Sequence, residues 1–256
     1  MAVRSLALGL PSGFRIHGHA HPWPQLLYAT EGVLTVTVGA PGREGTWVVP
    51  SHRAAWIPGG VDHHLEATGQ VLLRTLYLRP DLTCELPTTC CVMAVTPLLR
   101  ELVIETIARG MLHDDRAEEL RLAAVLVDQL VVTPEVLLDL RSPRDRRARR
   151  VADAVQADLA ADVSLEQLAD TSGASVRTLE RLFVAETGTT FGRWRQRARL
   201  LHALRLLARG DSVTAVSLAV GYDSTSAFIA MFKRALGTTP GAHFTPFRPA
   251  TSADQA

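Results

Sequence analysis

The stretch Ser164–Phe183, SLEQLADTSGASVRTLERLF, decides the fold. Ser164 and Gln167 have the Ser-x-x-Gln spacing of a capping box, in which hydroxyl and amide satisfy free backbone groups at a helix start. Leu165, Leu168 and Ala169 then fall on one helical face. Gly173 breaks that helix, and Ser175 is placed to cap a second one, along which Leu179, Leu182 and Phe183 share a buried stripe. Two short helices about a tight turn predict a helix-turn-helix, whose second helix enters the DNA major groove.

The pattern recurs. Ser212–Phe232, SVTAVSLAVGYDSTSAFIAMF, sets Val213, Val216 and Ser217 on one face, breaks at Gly221 and offers Ser224 as the next cap. Phe228 and Phe232 stand 49 residues after Leu179 and Phe183. One such pattern is weak, because any two packed helices imitate it; two in register specify a repeat, and a repeat decides the fold. Between them runs FGRWRQRARLLHALRLLAR, residues 191–209, with Trp194, Leu201, Leu204 and Leu207 expected inward and Arg193, Arg195 and Arg197 in water. Such a helix spans roughly 25–30 Å at 1.5 Å per residue. That length lets two reading helices enter successive major-groove turns, about 34 Å apart.

With these residues in view, the stretch resembles the DNA-binding domain of the AraC/XylS transcription regulators. Leu165, Ala169, Gly173, Leu179, Phe183, Gly188, Gly221, Phe228, Phe232, Gly237 and Pro240 carry the resemblance. Ser217 stands where Ala is usual, and His243-Phe244 replaces a common Tyr-Arg. The resemblance implies helix-turn-helix units at about 164–187 and 212–236, inside a DNA-binding domain of residues 143–256. It places DNA-contacting positions at Arg177, Thr178, Glu180 and Arg181, and at Thr225, Ser226, Ile229 and Ala230 in the second unit. Arginine reads guanine through two hydrogen bonds, and Glu180 can accept from cytosine or hold an arginine in place. Arg181 equally suits a phosphate contact or an internal ion pair. The short side chains of the second helix discriminate weakly, so the first unit is expected to supply most of the specificity.

Composition agrees with such a division. The net charge is +1, but residues 1–143 carry 11 Arg against 15 acidic residues (−4), and residues 144–256 carry 15 Arg and one Lys against 11 (+5). A basic half joined to an acidic one predicts that only one end meets phosphate. No long uninterrupted apolar run and no basic-then-apolar leader is present, so the chain is expected to be soluble, membrane-free and cytoplasmic. The odd count of three cysteines, Cys84, Cys90 and Cys91, suits a reducing compartment, and their spacing matches no standard zinc pattern. They read as small buried residues, with a thiol sensor as the other option.

Residues 1–80 read as β: LLYAT, VLTVTV, TWVVP, AAWIP and VLLRTLYL are short apolar runs separated by Gly, Pro and polar pairs. Tyr28, Trp47 and Trp56 read as core, and Trp23 as core or a ligand-stacking wall. Gly13, His19-x-His21, Gln25 and Gly32, followed by Pro58-x-Gly60-x-x-His63, resemble the two motifs of the cupin barrel. The resemblance implies an effector domain over residues 1–142, with ligand positions at His19, His21, Gln25 and His63. Three imidazoles and one oxygen donor suit a divalent first-row metal: zinc, nickel, iron or manganese. Gln25 is neutral where the enzyme pattern has a carboxylate, and His52 and Ala67 replace a usual Gly and Asn. A polar pocket that binds an organic effector without metal stands beside the metal site as an alternative. Strand alternation puts His19 and His21 on one face with His17 as a possible companion, and turns His64 away.

Residues 97–109 and 115–132 read as helices, with stripes Leu98-Leu102-Glu105-Ile107 and Leu120-Ala124-Val127-Leu130 or Val131. Leu122, Val125, Leu126 and Val132 widen the second stripe toward a homodimer surface; covering the barrel is the other reading, and the two are compatible. Arg144–Arg150 after Pro143 reads as the solvated start of a helix through Leu159 rather than a linker, with contact to DNA phosphates open to it in either case.

The expected whole is α+β with two domains: a cupin-like barrel with following helices, then an all-α domain with two helix-turn-helix units. Its function would be sequence-specific DNA binding under the control of a small molecule or metal, with RNA polymerase as a further partner. The barrel and PSHRAAWIPGGVDHH most resemble the NimR-like subgroup of the family. A cupin metalloenzyme, dioxygenase or isomerase, fused to a DNA-binding domain is the alternative.

Overall fold

The computed structural model describes residues 1–39, 45–51, 53–130 and 139–244. Eight strands fill the first 80 residues: β1 Val3–Leu10, β2 Arg15–His19, β3 Gln25–Ala29, β4 Val33–Val38, β5 Gly45–Pro50, β6 Arg53–Ile57, β7 His63–Thr68 and β8 Val71–Leu78. After them come β9 Cys91–Ala94, α1 Pro97–Arg109, β10 Met111–Leu112, α2 Ala117–Leu130 and β11 Asp139–Leu140. All pairings are antiparallel and form two sheets, ordered β10-β1-β8-β3-β6-β9 and β11-β5-β4-β7-β2.

Period-two alternation divides the buried side chains of the first sheet. Leu27, Ala29, Ala55, Ile57 and Leu73 share a cluster with Leu34, Val36, Val38, Leu65 and Ala67 of the second sheet. Leu26, Tyr28, Ala54, Trp56, Leu76 and Leu78 form a second cluster with Leu99 and Val103 of α1 and Ala123, Leu126 and Leu130 of α2. With both faces covered, β3 is buried at every position, although its sequence QLLYA begins with a glutamine. Tyr28, Trp47 and Trp56 are core residues as expected, and the Trp56 Nε1–H donates to the Pro87 carbonyl at 2.8 Å. Trp23 is half-buried, with the Arg4 guanidinium 4.7 Å above its ring.

The two helices appear where the sequence predicts them, but rotated. α1 buries Leu99, Val103 and Thr106, and leaves Leu98 53% exposed. α2 buries Glu119, Ala123, Leu126 and Leu130, so Leu126 belongs to the core and not to an outer surface. The run LRLAAVLVDQL is apolar on nearly every side, so periodicity alone does not choose a face; the first sheet chooses it. Glu119 is tolerated there because it accepts the His113 backbone N–H and an Arg116 N–H, which hold its carboxyl below the usual range. Val131, Val132 and His52 lie outside the described residues. Of the cysteines, all free, Cys91 is buried, which pushes its thiol up to about 11, while Cys84 is exposed rather than buried.

The second half is helical: α3 Arg146–Ala157, α4 Leu165–Ser172, α5 Val176–Thr187, α6 Phe191–Ala208, α7 Val213–Ala219, α8 Thr225–Leu236 and α9 Pro240–His243. Asp145 caps α3 and bonds Arg147, which holds its carboxyl down at about 2. The basic run is therefore a helix start, as its sequence suggests. α6 also packs on β4, β5 and β11 of the second sheet. Arg205 Nε donates to Thr35 Oγ1 at 3.2 Å, and Trp194 Nε1 to the Arg141 carbonyl at 2.9 Å. Gly69 in the β7–β8 turn has φ +73°, and a Cβ there would stand 2.5 Å from the Ala208 carbonyl oxygen. Only glycine combines that backbone with that approach. The apolar cluster between the sheets consequently continues into the helical half.

Candidate nucleic-acid interface and histidine cluster

Local rules build each helix pair. Both halves of the capping box are made: Ser164 N–H donates to Gln167 Oε1 at 2.9 Å, and Gln167 N–H to Ser164 Oγ at 3.3 Å. Gly173 follows in the left-handed region, and Ser175 caps α5 through the Thr178 N–H. In the second pair Ser212 caps α7 and Ser224 caps α8. Gly221, at φ +75°, lies where a Cβ would come within 2.9 Å of the Leu159 and Ala160 carbonyl oxygens. Ser217 is fully buried, and its hydroxyl donates to the Thr214 carbonyl at 2.8 Å, so this departure from Ala is internally satisfied. His243 and Phe244 pack by their rings, His243 against Phe232 at 5.3 Å between centroids.

The internal repeat holds in the packing. Leu179, Phe183, Phe228 and Phe232 are all fully buried. Phe183 meets Phe191 and Trp194 edge-on, at 5.2 and 5.4 Å, and Phe228 meets Phe232 and Tyr222 at 5.8 and 5.7 Å. On α6, Arg195 is not fully in water: its NH1 donates to the Val163 carbonyl at 2.7 Å and it lies over Phe191. Arg199 likewise donates to the Leu159 carbonyl at 3.0 Å. These bonds fix α6 against the end of α3 and the segment before α4.

Once the core faces are set, the outward faces follow. α5 exposes Arg177, Glu180 and Arg181, with Thr178 half-buried; Val176 is half-buried too and packs on the core. α8 exposes Ser226, Ala227 and Ala230. Thr225 and Ile229 are less available: the Thr225 hydroxyl lies 3.3 Å from Ser217 Oγ, and Ile229 packs on the core. Lys233 and Arg234 are also exposed on α8. Shifting back by the repeat of 49 puts them opposite Val184 and Ala185, a comparison that would have singled them out from sequence.

The second site lies at one end of the β half. His19, at the end of β2, pairs across strands with His63, at the start of β7. His21 lies past the end of β2, so the loop and not strand alternation brings it in. A bulge between Ile16 and His19 breaks the alternation as well, and His17 is exposed, contributing only a carbonyl. His64 points to solvent as expected. The candidate ligand atoms of His19, His21 and His63 all lie within 4.8 Å of one another.

Each ring is oriented by a carbonyl at Nδ1: His17 for His19 at 2.9 Å, Trp23 for His21 at 2.6 Å and Val61 for His63 at 2.9 Å. Donation from Nδ1 leaves the Nε2 lone pair of each neutral ring as the ligand atom, the arrangement by which outer partners prepare metal-binding histidines. His63 is fully buried; burial lowers its pKa to about 4, and its Nε2 has no hydrogen-bond partner among the described residues. Gln25, also buried, donates from Nε2 to Thr75 Oγ1 and to Tyr77 OH, both at 2.9 Å. Thr75 gives its own proton to the Leu26 carbonyl, which fixes the amide. Gln25 Oε1 then faces His21 Nε2 at 2.9 Å. The Gln25 oxygen can only accept, so it bonds His21 when Nε2 carries the proton, and it stands beside a free lone pair when Nδ1 carries it. The four residues that the motif picks out therefore fit a metal.

Two repeated helix-turn-helix units with outward-facing second helices, joined to a β-rich half, define a DNA-binding protein with an additional domain. Residues 168–245 match the family described as a helix-turn-helix domain. The chain is 38% identical over 223 residues to the HTH-type transcriptional regulator NimR of Escherichia coli, covering 87% of this chain and 80% of that one. It is 39% identical over 103 residues to the HTH-type transcriptional regulator RipA of Corynebacterium glutamicum, covering 40% of this chain and 31% of RipA. It is 38% identical over 122 residues to the transcriptional activator NphR of Rhodococcus, covering 47% of this chain and 35% of NphR. The chain belongs to the AraC family of helix-turn-helix transcription regulators. These relatives are named as regulators, so the enzyme alternative gives way to DNA-binding regulation.

Proposed function

We propose that this regulator is controlled through the histidine cluster of a cupin-type domain of residues 1–142, which sets how the domain of residues 143–256 engages its operator. The observation that carries the metal reading is the buried Nε2 of His63, without a hydrogen-bond partner among the described residues, beside the ligand atoms of His19 and His21. His19, His21, His63 and Gln25 would hold zinc, nickel, iron or manganese, and the ion would act as a Lewis acid toward an incoming effector. This donor set is neutral, so an anionic small molecule suits the remaining positions. Coupling of 1–3 kcal/mol between effector and DNA suffices for control.

Arg177, Glu180 and Arg181 would read bases. Thr178, Thr225, Ser226, Ile229 and Ala230 would position the helices and meet thymine methyl groups. Leu98 and Val125, 53% and 43% exposed on α1 and α2, support a homodimer through these helices. RNA polymerase is the partner that transcriptional control requires. No described helix is long and apolar enough to cross a membrane, and the three free thiols suit the cytoplasm, where we place the protein.

Elemental analysis of purified protein tests the site, with His63→Ala and His19→Ala in parallel. About one first-row metal per chain in the parent, and none in either variant, is expected. A metal-free parent that still binds and answers an organic ligand would move the site to effector recognition without metal.

A further inference from the structure

A cavity of about 380 Å³ opens between the α5–α6 turn, α6 and α8. Arg193, Arg197 and Arg234 line it together with Thr189 and Gln196, and no carboxylate among the described residues does. Three guanidiniums, a hydroxyl and an amide form a donor-rich, cationic hollow, the chemistry that recognises a phosphate oxygen. A wall of Leu200, Met231 and Ala235 keeps one side apolar, which strengthens each charged hydrogen bond made there.

The position of the hollow says which phosphate. Helix geometry turns about 100° per residue, so Arg193, Arg197 and Leu200 lie roughly opposite His202 and Arg205 on α6 and Arg209 at its C-cap. The latter three line the hollow shared with Thr35, Thr37 and Glu66 of the second sheet. The β half therefore covers one face of α6 and contributes nothing to the cavity on the other. A separate groove, lined by Arg177, Glu180 and Arg181 of α5 and by Thr190 and Gly192 at the start of α6, lies next to it along the chain, on the side of the outward face of the first unit. Arg234 comes from the outward-facing helix of the second unit. The hollow thus lies between the C-terminal cap of the first reading helix and the second reading helix.

We infer that Arg193, Arg197 and Arg234 form a clamp for the DNA backbone, gripping phosphodiester oxygens of the stretch that spans the two major-groove sites. The clamp holds register and carries no base preference. It compensates for the weakly discriminating α8, whose positive charge is gathered in its last turn.

The test uses the full chain and two labelled duplexes: one selected by the parent protein from a randomised library, and a scrambled one. Binding is measured by anisotropy across a series of KCl concentrations for the parent, R193Q/R234Q and R193K/R234K, with thermal melts to check folding. Each lost phosphate contact should lower the slope of log K against log salt by about 0.9. R193Q/R234Q should lose about two units of slope and weaken on both duplexes by the same factor, and R193K/R234K should keep the parent's slope. An unchanged slope in the Gln variant overturns the clamp. Selective loss on the chosen duplex also overturns it, by moving these arginines to base reading. Calorimetry with inorganic phosphate separates the other source of the same chemistry: tight phosphate binding by the parent, lost in R193Q/R234Q without a change of slope, would make the hollow a small-anion site. A Gln variant that fails to fold leaves the Lys variant to decide, since a slope below the parent's despite retained charge contradicts the clamp.

Discussion

The two helix-turn-helix units share a core and differ in what they show to solvent. Leu179 and Phe183 in one, Phe228 and Phe232 in the other, are equally buried. Outside, α5 presents Arg177, Glu180 and Arg181 in its first two turns, where α8 presents Ser226 and Ala230, with Ile229 turned partly into the core. α8 carries its charge later, at Lys233 and Arg234. Packing requires the same residue types wherever the same geometry is built, so the inner faces stay alike. The outer faces are free to differ, and in the function proposed above they separate a base-reading unit from one that positions.

Equivalence of the inner faces is open to the largest test. Phe183→Ala and Phe232→Ala should each cost about 3–5 kcal/mol of unfolding free energy, since each empties a fully buried site. Urea melts giving a much smaller loss for one would show that the cores are not equivalent. Difference of the outer faces comes next. Arg181→Ala should cost about 1–3 kcal/mol at a single base pair in binding-site selection, whereas Ser226→Ala should leave the selected sequence as it is. Equal relaxation by both would erase the division of labour. The smallest effect concerns the caps: Ser164→Ala and Ser212→Ala should each lose about 1 kcal/mol, and Gln167→Ala a further small amount at the first cap, where its amide oxygen accepts the Ser164 backbone N–H. A Gln167→Ala protein with the parent's thermal midpoint would mean that the Gln167 bond adds nothing in water.

Legibility followed the range of the interactions. Capping serines, turn glycines and aromatic stripes act within a few residues, so the ends of α4, α5, α7 and α8 could be read directly. The faces of α1 and α2 could not, because LRLAAVLVDQL is apolar nearly all round and a sheet distant in sequence chose Ala123 and Leu126 over Ala124 and Val127. The histidine cluster was legible in membership and partly wrong in cause. Motif spacing picked out His19, His21, Gln25 and His63, but a bulge and a loop, not alternation, bring His21 to the others. The availability of Thr225 and Ile229 was likewise invisible, because it depends on Ser217 and on the core beside α8.

By itself, the order of residues determined a repeated pair of short helices, a β-rich first half and which histidines gather at one end of it, since each is written in spacing or local chemistry. Tertiary structure alone decided that the second sheet rests on α6, that Gly69 fits against Ala208, and that one apolar cluster runs through both halves while a second lies beneath α1 and α2. The physical reason is that a buried contact depends on two surfaces at once, and no local pattern records the partner that a face will meet.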